Sequence, residues 1–231
     1  MSRFPHYPNA PAADVVRNAR TILCSAHDAA SSFLDIFEAT RETRKAKGAS
    51  TDEEQDLLRA MLVFAGAGLD SMIKQLVRDA LSLTIDRSRG AEENFRTFIS
   101  KRLARKDTLD PGFLSSVLAS RDPRDVLVGT LVADLISQSL QSKDQVLRVA
   151  SYFDIPSAAL ATDLRLLDRI FGARNQIVHE MDVDFAQKNR NRRPRGKAVM
   201  IDHTTEILRL ANAFLTAVDR GLSRTPAGAA P

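Results

Sequence analysis

Arg174, Asn175 and His179 stand together in the run Arg174-Asn-Gln-Ile-Val-His179. A guanidinium stays charged at any working pH and grips an oxyanion through two parallel donors. An imidazole titrates near neutrality and can take or give a proton there. The pair therefore supplies charge stabilisation and proton transfer. The surrounding segment, Asp163 to Asp182, reads as one amphipathic helix. At about 100° per residue, Leu167, Ile170, Phe171, Ile177, Val178 and Met181 share a face. Arg174 falls in the middle of that apolar face, where an unpaired charge is costly to desolvate, so an anion is expected to meet it. Asp168, Asn175, His179 and Asp182 line one flank of the same helix. Two readings follow: a core helix with a snorkelling arginine and a solvated polar edge, or a site built from Arg174, Asn175 and His179.

The run resembles the signature of the HEPN superfamily (higher eukaryotes and prokaryotes nucleotide-binding domains). That signature is an arginine, usually followed by a polar residue, then a histidine after a gap of four to six. Members are compact helical bundles. Many are metal-independent ribonucleases of toxin–antitoxin, abortive-infection and RNA-processing systems. The resemblance implies that His179 is the acid/base, Arg174 the cation on the phosphate, and Asn175 the residue that orients His179. RNA would be cut by attack of its own 2′-hydroxyl, leaving a 2′,3′-cyclic phosphate. Many members place an acidic or polar residue on an early helix facing the motif, and Asp70 is the candidate here. Asp70 also stands four residues before Lys74, so an ordinary surface ion pair is the alternative. Where one branch of the family carries a tyrosine two residues after the histidine, this chain has Met181. Silencing by nucleotidylation would lack its target, and a binding antitoxin or a sensor protein is the expected partner instead.

On a helix, Arg174 and His179 stand about 140° and roughly 7.5 Å apart. One phosphate meets both only if Arg174 curls round or if two chains bring their motifs together. Family members commonly pair their motifs between protomers, so a symmetric homodimer with a composite site is expected. His179-Glu-Met-Asp182-Val-Asp184 does not have the ligand set of a zinc site, and no metal or cofactor is expected.

The elements that must hold this segment are helical throughout. The chain has 231 residues, no Trp, two Tyr, eleven Phe, and a net charge of +4. Most of its glycines sit at breaks rather than recurring as in a sandwich or barrel. No 18-residue apolar run or secretory signal is evident, so no membrane association is expected. A lone cysteine, Cys24, fits a reducing cytoplasm.

Residues 1–10 read as an extended arm that packs on a neighbouring surface or stays mobile. A first long helix is predicted over 11–47, stopped by Gly48. A capping box, Ser50 to Glu53, opens a second that runs to about Leu83. Gly66 and Gly68 within it suggest close helix–helix approach. After a break at 86–90, a helix over 91–106 follows. Asp110-Pro111, Asp122-Pro123 and Ser142-Lys-Asp-Gln145 open three more. Residues 91–155 are a candidate insertion between the two halves of a minimal bundle. After the motif helix, residues 183–197 carry Lys188, Arg190, Arg192, Arg193, Arg195 and Lys197 against one acid, Asp184. That charge is concentrated enough to attract an RNA backbone, and with no aromatics interleaved among the basic residues it would not read sequence. A last helix is predicted over 202–220 with Gly221 as its stop, then a disordered tail over 223–231.

The expectation is an all-α, HEPN-like helical bundle, a single domain over 11–222 with long N-terminal helices and a middle helical insertion. Its expected activity is metal-independent endoribonuclease action in a toxin–antitoxin, stress or phage-defence setting. The competing expectation is a non-catalytic HEPN-like module that binds nucleotide or a partner protein.

Overall fold

The computed structural model describes residues 3–104, 111–160 and 163–223. The described chain is all-α. A 3-10 turn at Asp14–Val16 leads into α1 (Arg17–Thr43), α2 (Asp52–Arg87), α3 (Arg89–Ala104), α4 (Pro111–Ala119) and α5 (Pro123–Ser137). Then come α6 (Lys143–Tyr152), the single turn α7 (Ser157–Leu160), α8 (Leu164–Glu180) and α9 (Lys197–Ser223). The sequence assignments at Arg105, Lys106, Asp110, Thr162 and the tail from residue 224 lie outside the described residues.

Helix α2 is the axis. It packs along α1 and α9, with α8 against its first half and α3 and α5 against its second. Met61, Leu62, Leu69, Met72, Ile73 and Leu76 of α2 are fully buried there with Leu23 of α1 and Phe214 of α9. An 18-residue window of α2 is apolar enough to cross a membrane, which the sequence reading had not found, and 56% of that window is buried inside the bundle. Its apolar side chains are those of the central core helix.

Several boundaries differ from the sequence expectation for identifiable reasons. The chain entering α1 is held by Asp219 of α9, whose carboxylate accepts the amides of Ala12 and Ala13, so the α-helix starts only at Arg17. The capping box at the start of α2 is one residue further on, Thr51 with Glu54. Both frames fit the pattern; Glu54 is selected because it is buried and receives Arg41 at 2.8 Å. Helix α2 runs on to Arg87, and Ser88 alone makes the break, its hydroxyl accepting the Ala91 amide. Helix α9 passes through Gly221 because Arg87 donates to the Leu222 carbonyl at 2.7 Å. The N-terminal arm packs on α1: Phe4 is buried, and Arg20 donates to the carbonyls of Pro8 and Asn9.

The two α2 glycines serve different neighbours. A Cβ at Gly68 would collide with the Cβ of Ala26, so this glycine lets α1 and α2 close together. A Cβ at Gly66 would meet only the Arg174 side chain, at 3.6 Å, which is ordinary contact. Gly68→Val is therefore expected to destabilise the fold by about 1–3 kcal/mol through overpacking, whereas Gly66→Ala leaves the melting temperature near the parent's. Thermal unfolding of the two variants checks this.

Candidate functional site

Asp163 caps α8, its carboxylate accepting the amides of Arg165 and Leu166 at 2.9 and 3.0 Å. Leu167, Ile170, Phe171, Ala173 and Ile177 are buried against the bundle, as the periodicity predicts. The helix ends at Glu180 rather than Asp182. Met181 and Asp182 both take left-handed backbone angles (φ 50° and 61°), which turn the chain sharply away from the helix axis.

Arg174 is half-buried, and its stem lies across Gly66 of α2. Among the described residues no carboxylate forms an ion pair with it; its Nη1 donates to Asn175 Oδ1 at 3.1 Å. Asp70, the candidate partner, makes no ion pair with this guanidinium. The shallow groove at Gly66 gives the stem an apolar bed and lets the head reach the polar flank of α8. Burial lowers the pKa of the guanidinium from its ordinary value, and the carboxylate of Asp70 opposes that shift from a distance.

The polar flank is partly covered, although Asp168 and His179 remain exposed. The loop between α5 and α6 lies along it. Asn175 Nδ2 donates to the Gln141 carbonyl at 3.1 Å, and His179 Nε2 stands 3.1 Å from Gln141 Oε1. Lys143 pairs with Asp168 at 2.7 Å. The loop is held from the other side by Asp70, whose Oδ1 accepts the Leu140 amide at 2.8 Å while Oδ2 receives Lys74 at 3.0 Å. Asp70 thus makes the ion pair with Lys74 and fixes the loop, rather than touching Arg174. A continuous set of hydrogen bonds results: Arg174 to Asn175, Asn175 to the Gln141 backbone, and the Gln141 side chain to His179. Asn175 and His179 are joined through Gln141 rather than to each other across one turn of helix. His179 itself is exposed, and its Nδ1 makes no hydrogen bond among the described residues.

The basic segment after α8 is largely neutralised within the fold. Arg192 forks onto Asp56, and Arg193 reaches Glu180 at 2.9 Å and the Val183 carbonyl at 2.6 Å. Arg195 holds Asp182 and donates to Gln176 at 3.0 Å, and Lys197 pairs with Glu38 at 2.7 Å. Lys188 and Arg190 are exposed and without such partners among the described residues. The neutralising acids come from α1, α2 and the end of α8, so charge counted along 183–197 could not register them. Asp182 is fully buried between Arg59 and Arg195, each at 2.8 Å from its Oδ2. Arg59, itself buried, also donates to the Arg193 carbonyl at 2.9 Å. This cluster ties the end of the motif helix to the first turns of α2.

Gln141 and Arg59 are two residues of this region that do not stand out in the sequence as site residues by motif. Gln141 carries no signal of its own: it is a polar residue in a short interhelical loop. Arg59 does, because it interrupts the apolar stripe of α2 much as Arg174 interrupts that of α8. Among the described residues, no three His, Cys, Asp or Glu side chains gather where a metal could bind. Comparison with family models, curated proteins and solved structures finds no match to this chain.

Proposed function

We propose that the chain is a HEPN-type endoribonuclease that cuts RNA without a metal. The observation that carries this reading is the linkage of Arg174 to His179 through Asn175 and Gln141, with no acid among the described residues paired to the guanidinium. A half-buried cation with unused donors is suited to the non-bridging oxygens of a phosphodiester. An exposed imidazole on the same helix is suited to the proton transfers. The 2′-oxygen attacks phosphorus, the bond from phosphorus to the 5′-oxygen breaks, and the products are a 2′,3′-cyclic phosphate and a 5′-hydroxyl. The proton lost by the 2′-hydroxyl goes to a base, and one is given to the departing 5′-oxygen.

A single His179 performs one of these proton transfers at a time, which favours a second motif from a second copy. Exposed apolar side chains beside the motif suit such an arrangement. Val178 is 38% exposed and Met181 68%. Lys188 and Arg190, exposed and without an acidic partner among the described residues, are the natural contacts for RNA backbone.

The competing reading is a HEPN-like module that binds nucleotide or a partner protein without cutting. It draws on the engagement of the Asn175 amide and the His179 Nε2 by Gln141, which leaves less of the polar flank for a substrate. Purified protein incubated with total RNA in excess EDTA separates the two. The nuclease reading expects discrete cuts and a dimer in equilibrium sedimentation. Intact RNA with a folded protein supports the module.

A further inference from the structure

We infer that Gln141, a residue of the α5–α6 loop outside the motif, is a positioning residue that fixes the His179 imidazole with its proton on Nε2, leaving Nδ1 to act on the substrate. The inference rests on the proposed ribonuclease reading for its consequence, though not for its geometry. The backbone of Gln141 is immobilised on three sides. Its amide donates to Gln145 Oε1 at 2.8 Å, its carbonyl accepts Asn175 Nδ2 at 3.1 Å, and the preceding amide, Leu140, donates to Asp70 at 2.8 Å. The loop is therefore anchored to α6, α8 and α2 at once. From that fixed backbone its side-chain Oε1 ends 3.1 Å from His179 Nε2.

An amide oxygen can only accept, so Nε2 carries the hydrogen. In a neutral imidazole the partner of one ring nitrogen decides the state of the other. Nδ1 then bears the lone pair on an exposed residue, free of any hydrogen bond among the described residues. When the ring is protonated, Nδ1 carries the proton to be given away, and the Nε2–H bond to Gln141 is retained in both states. The ring thus cycles its proton at Nδ1 without reorienting. The same anchoring places Arg174 in register, because Asn175 joins the guanidinium to the Gln141 carbonyl.

Nitrogen-detected NMR of the imidazole rings reads the tautomer directly. The chain has four histidines, and His179→Ala identifies the relevant signals. The parent at a pH where the ring is neutral is expected to show the Nε2–H form alone. Gln141→Ala should show a mixture of tautomers and a kcat for RNA cleavage lowered roughly 10- to 100-fold with KM within about twofold. Gln141→Glu keeps an acceptor at this place and should restore the single Nε2–H form, which a role of the amide as donor would not allow. An Nδ1–H tautomer in the parent overturns the inference, as does a tautomer signal unchanged by Gln141→Ala. Faster cleavage by Gln141→Ala overturns it too, since the loop would then be a plug. A parent that cuts no RNA sinks the ribonuclease reading alone, because the tautomer measurement needs no activity.

Discussion

Asp182→Ala is expected to destabilise the protein by about 3–5 kcal/mol, because it leaves two guanidinium groups without their shared counter-charge in a site closed to solvent. For a chain of this length that corresponds to a melting temperature lowered by roughly 10 °C. The carboxylate is fully buried and receives Arg59 and Arg195. Asp182→Asn keeps the shape and loses the charge, and should fall short of the parent by a large part of the same amount. The pH dependence has a defined sign. Burial alone would raise the pKa of Asp182, but the hydrogen bonds and charges of Arg195 and Arg59 outweigh it and hold the carboxyl below its ordinary value. A group depressed in the folded state contributes stability above its unfolded pKa, about 3.9, and that contribution is lost as pH falls through the folded value. The gap between the parent and Asp182→Asn should therefore be constant from neutrality to about pH 5 and close below about pH 4. Thermal melts across that range check both statements.

His179→Ala is expected to lower the rate of RNA cleavage by about 10²- to 10⁴-fold, the usual contribution of a positioned acid/base. Stability should barely change. His179 is exposed and contributes one hydrogen bond, to Gln141 Oε1, so the variant's melting temperature should stay within a few degrees of the parent's. Arg174→Ala should lose a comparable amount of activity, and Arg174→Lys should not recover it, because an ammonium presents a point charge where two parallel donors are needed. Rates from single-turnover assays on one oligoribonucleotide, with melts of each variant alongside, separate loss of chemistry from loss of fold. Full activity in His179→Ala would contradict the assigned role.

The helical class and most of its divisions were legible because they depend on local chemistry. The proline-led start of α5, the Ser142 cap of α6 and the apolar face of α8 are all written in consecutive residues. The first stretch to escape was the charge balance of residues 183–197. Arg192, Arg193, Arg195 and Lys197 meet Asp56, Glu180, Asp182 and Glu38, and the fold alone brings those acids near. The second was the end of α8. Asp182 sits at helical spacing from His179, but the helix stops two residues earlier and the carboxylate turns inward to Arg59. The third was the partner of the polar flank. Asp168, Asn175 and His179 were rightly grouped on one edge, yet nothing along the chain indicates that residues 141–143 cover it. Long-range pairing between two loops of ordinary composition leaves no periodic trace.

The central claim is that Arg174 and His179 act on one phosphodiester of RNA, using its own 2′-hydroxyl. The measurement that bears on it most directly is the chemistry of the ends made by purified protein in excess chelator. The account predicts 2′,3′-cyclic phosphates facing 5′-hydroxyls, made by the parent and not by Arg174→Ala or His179→Ala. Cuts that leave 5′-phosphates and 3′-hydroxyls, or that persist in both variants, would contradict it.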